Sequence, residues 1–361
     1  MPDQPSLLFI PDISGFTQFV HETELLHSGH IVAELLELLI DADQLGMTVA
    51  EIEGDAILFY KHQHVPAVGE VISQAEEMFI RFHTHLKRYE TERVCQCGAC
   101  RTAVDLTLKI IVHAGPIGFI HVKNHHKPYG KEVILVHRLL KNELDSHEYL
   151  LLTEGYCGQG GDPGTVPGKP WMKVLTASAA YEEAGEVPFH CIPLQPLHAR
   201  VPPAAPIVPL PRSAQPVVGE LHIGQAPAVV HAALLELANR PQWEPMVKAV
   251  KFDQKKVNRL GTQHVCLLDA GALRFKTVRT DAGPGSLVYG EQLLNPGWVM
   301  QNSWYYLLDE EGGGARVRLE VHYRHWPLGG WLLAGWYRKA TAREVSRHLQ
   351  LLKAYCERMV G

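Results

Sequence analysis

The chain lacks the segments that mark membrane and secreted proteins. Its longest apolar stretch, residues 326–337, is shorter than the roughly 20 residues that a helix needs to cross a bilayer. No basic and then apolar leader opens the sequence, so we expect a cytoplasmic protein that is not transmembrane. The chain also lacks a run of Lys and Arg, and its formal net charge is −5, which argues against nucleic acid as a partner.

Cysteine is scarce, with 7 in 361 residues, yet Cys95, Cys97 and Cys100 lie close together. Zinc binds four sulfur or nitrogen ligands, and the C-x-x-C spacing is typical of its structural sites. We therefore predict a zinc site at these three residues, because a reducing compartment disfavours disulfides. The alternative is a loop of exposed or redox-active thiols. The fourth ligand stays open between a partner subunit, water and the following side chains: His83, His85, His113 and Cys157.

The sequence has no internal repeat with a period of 20 to 50 residues, which excludes a solenoid. One stretch, residues 191–216, holds eight prolines and shows almost no helical periodicity. Proline-rich segments favour extended, semi-rigid linkers. We therefore predict a first domain at 1–190, a linker at 191–216 and a second domain at 217–361.

Two short segments each place an aspartate at the end of an apolar strand. Asp12 follows the strand predicted at 6–10, and Asp55 lies in a Gly-Asp turn between strands predicted at 47–53 and 56–60. Magnesium is usually held by one or two carboxylates together with nucleotide phosphates. Asp12, the backbone carbonyl of Ile13, and Asp55 are therefore the predicted Mg²⁺ or Mn²⁺ ligands. The alternative is that Asp12 caps a helix and Asp55 is an ordinary turn residue.

These segments resemble the metal-binding motifs of the class III nucleotidyl cyclases, F-x-D-I-x-G-F-T and the G-D hairpin that follows it. Residues 104–116 resemble the central strand of that family, and residues 129–140 resemble its W-G-x-x-V-N-x-A-x-R-L helix. The resemblance runs over about residues 7–175. It implies a ferredoxin-like α+β domain that forms a homodimer and binds a purine nucleoside triphosphate with a divalent metal.

The same resemblance implies roles for individual residues and also shows a departure. Arg138 matches the arginine that stabilises the transferred phosphates from across the dimer, but the matching asparagine position holds Ile134. Losing one aimed donor typically lowers a rate about 100- to 1000-fold. Adenylate or guanylate cyclase activity at Asp12, Asp55 and Arg138 therefore stays open.

Nucleotide selection departs from the family pattern as well. Of the two purine-selecting positions, Glu51 matches the guanine type, whereas Lys127 matches neither type. The family takes a phosphate-binding lysine from a late strand, and Lys169 and Lys173 are the candidates here.

After the linker the pattern changes to a strand, a short helix, six further strands and a long terminal helix. An antiparallel sheet around that helix is the expected architecture. This half resembles the START-like helix-grip proteins (SRPBCC, polyketide cyclase and lipid transport type) over about 217–360. The resemblance implies an apolar cavity for a hydrophobic ligand, and these aromatic residues either line it or fill a core: Trp243, Phe275, Tyr289, Trp304 and Tyr323. We see no charged pair in this half that would act on a ligand.

Three functions follow from these observations. The first is a metal-dependent cyclase linked to a hydrophobic-ligand domain in signalling. The second is a nucleotide sensor of the same build without turnover. The third is a lipid- or aromatic-metabolite-binding protein whose first domain is a zinc-stapled dimerisation platform.

Overall fold

The computed structural model describes residues 4–21, 23, 25–123, 125–206, 210, 213, 215–279, 285–297, 299–325 and 334–359. The chain divides into two compact units, one of residues 1–90 and 97–204 and the other of residues 91–96 and 205–361. Within the described ranges, we find no helix with the length and apolar character needed to cross a bilayer.

The first unit is built on a seven-stranded sheet in the order β2-β3-β1-β4-β7-β9-β8. Its strands are β1 (Ser6–Ser14), β2 (Thr48–Glu53), β3 (Ala56–Lys61), β4 (Thr107–Gly115), β7 (Tyr149–Thr153), β8 (Leu175–Tyr181) and β9 (Gly185–Pro193), and β5 (Gly118–Val122) and β6 (His125–Tyr129) form a separate hairpin. Its helices are α1 (Phe16–His21), α2 (Leu25–Asp41), α3 (Val68–Thr91), α4 (Gly98–Thr102), α5 (Lys131–Leu139) and α6 (Glu154–Gly160).

The strands β1, β2, β3 and β4, with the helices between them, have the ferredoxin-like βαββαβ arrangement. β1 lies between β3 and β4 and is antiparallel to both, and β2 pairs with β3 at the edge. Every residue of β1 is buried. This order, with helices between β1 and β2 and between β3 and β4, confirms the predicted ferredoxin-like α+β domain.

One strand extends further than the sequence predicts. The prediction ends the first strand at Ile10, but β1 continues to Ser14. The reason is long-range pairing, because Asp12 lies opposite Lys109 and Ser14 opposite Thr107 on β4. Asp12 is therefore a sheet residue and not a helix N-cap.

The start of the proline-rich stretch is ordered as part of the first unit. Residues 191–193 belong to β9, which pairs with β7, and a 3₁₀ helix follows at Gln195–Arg200. Leu194, Leu197 and Val201 are buried. Residues 191–201, which the sequence assigns to the linker, are thus folded because their apolar side chains reach the core.

The second unit is a seven-stranded antiparallel sheet in the order β10-β16-β15-β14-β13-β12-β11. Its strands are β10 (Val217–Ile223), β11 (Ala249–Lys251), β12 (Gln263–Leu268), β13 (Gly271–Val278), β14 (Leu287–Leu293), β15 (Gln301–Glu311) and β16 (Gly314–Arg324). Its helices are α7 (Pro227–Leu235), α8 (Arg240–Trp243) and α9 (Ala334–Arg358).

The long helix α9 packs on β10 and β16 through a buried stripe: Val345, Leu349, Leu352 and Cys356. The predicted helix-grip architecture is therefore confirmed. The edge strand β11 is short, since only residues 249–251 pair with β12.

Candidate functional site

Two aspartates from separate parts of the chain line one cleft in the first unit. Asp12 lies on β1 directly opposite Ala56, and Asp55 is the residue just before Ala56. The backbone N–H of Ile13 donates to the backbone carbonyl of Asp55 at 3.1 Å. The strand pairing therefore holds the two carboxylates next to each other.

Both carboxylates are destabilised in their ionised form without a cation. Burial raises the pKa of Asp12 to about 6, Lys109 offsets part of this effect, and the neighbouring Asp55 raises the pKa further. Burial also raises the pKa of Asp55, against the lowering effect of a backbone hydrogen bond and Lys109. Lys109 Nζ lies 3.5 Å from Asp12 Oδ1 and donates to the carbonyl of Leu140 at 3.1 Å. The positive charge of one lysine thus offsets only part of the cost of ionising the two buried carboxyl groups.

The cleft has a volume of about 1030 Å³ and collects most of the residues that the sequence singled out for binding a nucleotide and its metal. The predicted residues in its lining are Asp12, Ile13, Glu51, Asp55, Lys127, Ile134 and Arg138. The side chain of Ile134 is 54% exposed there. Three lining residues that the sequence analysis did not name are Glu53, Lys109 and His137.

The purine-selecting candidates contact each other. The ammonium of Lys127 pairs with the carboxylate of Glu51, and this bond raises the pKa of Lys127. His137 Nε2 lies 3.3 Å from the second oxygen of Glu51. Arg138 pairs with the exposed carboxylate of Glu183. The cleft wall therefore presents an acceptor and a donor side by side.

The two lysines proposed for phosphate binding do not line this cleft. Lys169 pairs with the buried carboxylate of Glu76, which also pairs with Arg200. Lys173 is exposed. Because the buried Glu76 needs a cationic partner, Lys169 is held away from the two aspartates.

The three clustered cysteines meet a histidine that the sequence analysis did not consider. Cys95, Cys97, Cys100 and His27 each place a ligand atom within 4.8 Å of the others. His27 Nδ1 lies 3.2 Å from Cys97 Sγ and 3.7 Å from Cys100 Sγ. None of the seven cysteines forms a disulfide.

The four candidates for the fourth ligand lie elsewhere. His83 and His85 contact the carboxylates of Glu148 and Glu34. His113 contacts Thr153 and Glu132. Cys157 is buried on α6, where burial raises the pKa of its thiol to about 12. Each histidine is thus held by a carboxylate, and no local sequence signal pointed to His27.

The second unit has a partly open cavity of about 180 Å³ between the sheet and α9. Of the predicted aromatic residues, Phe275 and Trp304 line it, and Tyr306 does so as well. The other three predicted residues lie outside its lining. Trp243 packs in the core against His348, Tyr289 donates from its hydroxyl to Glu291 at 2.6 Å, and Tyr323 packs edge-on against Tyr337.

A buried ion pair that the sequence did not reveal forms part of the cavity wall. Arg240 donates to both oxygens of Glu291, at 2.6 and 2.9 Å. Burial works to raise the pKa of Glu291, but Arg240 and His264 outweigh it and hold that pKa well below its usual range. The cavity wall therefore combines apolar side chains with a buried ion pair.

Family comparisons assign the two units separately. Residues 32–149 match a family described as "Protein of unknown function (DUF2652)". Residues 215–357 match the family described as "Polyketide cyclase / dehydrase and lipid transport". An uncharacterised protein of Mycobacterium tuberculosis is 37% identical over 123 residues, which is 34% of this chain, and the chain spans 57% of the length of that relative.

Comparisons with solved structures also give matches, each over part of the chain. The guanylate cyclase domain of RhGC from Catenaria anguillulae in complex with GTP matches with a TM-score of 0.39 and 16% identity, covering 53% of this chain and 97% of that chain. TTHA0849 from Thermus thermophilus matches with a TM-score of 0.32 and 19% identity, covering 41% of this chain and 100% of that chain.

Proposed function

We propose that the first unit binds a purine nucleoside triphosphate together with Mg²⁺ or Mn²⁺ in the acidic cleft. The observation that carries this proposal is the convergence of Asp12 and Asp55 in one cleft that also contains Lys109, Lys127 and Arg138. Two carboxylates repel a polyanion unless a cation lies between them, and divalent ions bridge carboxylates and phosphates in this way.

The donor atoms of the cleft suit a hard divalent ion. Carboxylate and carbonyl oxygens are the ligands that such ions prefer, and Asp12, Asp55 and the backbone carbonyl of Ile13 would hold the ion. The raised pKa of Asp12 supports this assignment, since a buried acid pair without full compensation favours a bound cation. When bound, the ion would neutralise phosphate charge and activate a hydroxyl nucleophile.

The side chains around this pair would bind the rest of the nucleotide. Lys127 would donate and Glu51 would accept hydrogen bonds at the edge of a purine, and guanine offers both partners on one edge. Arg138 would bind phosphate oxygens, for which its planar guanidinium is well suited. Glu51 already pairs with Lys127. The base would therefore have to separate these two side chains before it could bond to both.

Turnover separates two candidate functions. Arg138 favours a cyclase, whereas Ile134 favours a sensor, because its exposed apolar side chain cannot donate a hydrogen bond to a phosphate. An aimed donor is worth about 100- to 1000-fold in rate. We therefore infer nucleotide binding with turnover that is at most slow.

Calorimetry with non-hydrolysable GTP and ATP analogues tests the proposal, with and without Mn²⁺. We expect binding that requires the metal and that Asp55→Asn abolishes. Asp145→Asn, at an exposed position outside the cleft, is the matched control and should bind normally. Absence of binding heat with both nucleotides at millimolar protein would refute the proposal, and assay of cyclic nucleotide and pyrophosphate then decides between enzyme and sensor.

For the second unit we infer a small hydrophobic ligand that carries one polar group. Phe275, Trp304 and Tyr306 supply apolar contacts, and the Arg240–Glu291 pair supplies a polar one. The volume of about 180 Å³ lies below the several hundred Å³ of drug-sized sites, so the ligand is small. Occupancy of this unit would regulate the nucleotide-binding unit in a signalling role.

A further inference from the structure

We propose that His27, Cys95, Cys97 and Cys100 form a closed, structural zinc site. This inference does not rest on the proposed nucleotide function, because no member of the tetrad lines the acidic cleft. It assigns His27 as the fourth ligand, a residue 70 positions away from Cys97 in sequence.

The distances between the ligand atoms fit a tetrahedral zinc ion. Bond lengths of about 2.3 Å to sulfur and about 2.0 to 2.1 Å to nitrogen place tetrahedral S and N ligands about 3.6 Å apart. The observed separations from His27 Nδ1, 3.2 Å to Cys97 Sγ and 3.7 Å to Cys100 Sγ, lie on either side of that value. All four ligand atoms fall within 4.8 Å of one another, which makes them a group that could hold one metal ion.

The local backbone also supports a thiolate site. Cys97 caps α4, and its sulfur accepts a hydrogen bond from the backbone N–H of Cys100 at 3.4 Å. Such N–H donors stabilise metal-bound thiolates and fix their direction. Cys95 and Cys100 are 7% and 1% exposed, so the site excludes most solvent.

The types and number of the four ligands indicate that the metal is zinc and that the site is structural. Three soft thiolates and one imidazole in a tetrahedral arrangement are typical of zinc. With four protein ligands no position remains for water or substrate, which is the mark of a structural site. Binding requires loss of the three thiol protons, so affinity for zinc rises with pH.

The ion would join two segments that are distant in sequence. His27 is in the first turn of α2, whereas Cys97 and Cys100 flank the start of α4. The segment of α4 leads through a 3₁₀ helix at Ala103–Asp105 into the central strand β4. Zinc would therefore replace the apolar packing that so short a helix cannot provide.

The test uses the full chain, purified without a histidine tag and under reducing conditions, with zinc measured by elemental mass spectrometry. We expect about one zinc per chain in the wild type and loss of most of that zinc in His27→Ala. His27→Cys should retain it, because a fourth thiolate also satisfies the ion. His30→Ala, on the same helix but outside the tetrad, is the matched control and should keep its zinc.

A second measurement on the wild type keeps the proposal testable if a variant fails to fold. Alkylation should spare Cys95, Cys97 and Cys100 until a chelator removes the metal, after which peptide mass spectrometry should find all three modified. Iron in place of zinc, failure of the reduced wild type to take up zinc, or full zinc content in His27→Ala would each overturn the proposal.

Discussion

At the scale of single residues, Asp12 destabilises the metal-free protein although it is a proposed metal ligand. Its carboxylate is buried in the sheet, with one lysine at 3.5 Å and a second aspartate beside it. A pKa raised from 3.8 to about 6 means that ionising this group opposes folding of the metal-free protein. A site that binds a cation has to accept this cost when the cation is absent.

Replacing Asp12 by Asn should therefore stabilise the metal-free first unit at pH 7. The folded state binds more protons than the unfolded state between pH 3.8 and about 6, so wild-type stability falls as pH rises through this window. Asn does not titrate, and Asp12→Asn should gain up to about 3 kcal/mol at pH 7 and little at pH 4. Urea unfolding of the metal-free protein at both pH values measures this difference.

The same variant should lose its response to metal. Mn²⁺ stabilises a protein that binds it in the folded state, so added Mn²⁺ should raise the unfolding midpoint of the wild type and of Asp145→Asn only. An Asp12→Asn protein that is less stable than the wild type at pH 7, or that Mn²⁺ still stabilises, would contradict this interpretation of the cleft.

The residues of the sites differ in how far local sequence reveals them. Asp12 and Asp55 lie in short strand-end motifs, which local patterns disclose. Lys109 could not be assigned, because it reaches Asp12 only through the register that sets β4 against β1. His27 likewise meets the cysteines through the tertiary packing of α2 against α4, for which no local signal exists.

At the scale of elements, periodicity predicted the helices and strands well but not their ends. The strands predicted at 47–53 and 56–60 correspond to β2 at Thr48–Glu53 and β3 at Ala56–Lys61. Strand β1 continues past Ile10 because its partners on both sides extend it. Pairing partners are a tertiary property, which explains why strand ends were the weaker part of the prediction.

The contact of α9 with β10 depends on a glycine. A Cβ added at Gly219 would lie 2.5 Å from Val345 Cγ1 and 3.1 Å from Leu349 Cδ1. Both partners are buried, and the branched Val345 has little freedom to move. We expect Gly219→Ala to destabilise the second unit by about 1–3 kcal/mol through overpacking.

Unfolding of the whole chain in urea measures this effect on the transition of the second unit. Gly224→Ala is the matched control, because its nearest added contact is an ordinary 3.6 Å to Glu357 and its backbone is not left-handed. Adding Val345→Ala to Gly219→Ala should recover part of the lost stability by making room. Equal stability of both glycine variants would show that α9 does not pack closely at this point.

At the scale of the whole molecule, the two folded units are not two continuous stretches of the chain. Residues 91–96 belong to the second unit, where the carbonyl of Glu92 accepts from the N–H of Leu260 at 2.8 Å and the backbone of Arg93 forms an isolated antiparallel β-bridge with that of Arg259. A reading along the sequence assigns this segment to the first domain, since composition does not change there.

Native mass spectrometry of the intact chain should find two copies and a small hydrophobic molecule that is released on denaturation. The dimer is expected because the sequence motifs of the first unit resemble those of the nucleotidyl cyclases, a resemblance that implies a homodimer. The ligand is expected because the cavity of about 180 Å³ combines apolar walls with a fixed ion pair.

Leu273→Trp, a substitution in the cavity wall, should fill the cavity and lower ligand occupancy. Val218→Phe, on an exposed position of β10, is the control and should leave it unchanged. A monomer in the wild type would contradict the expected dimer, and equal ligand occupancy in Leu273→Trp and Val218→Phe would place the ligand outside this cavity.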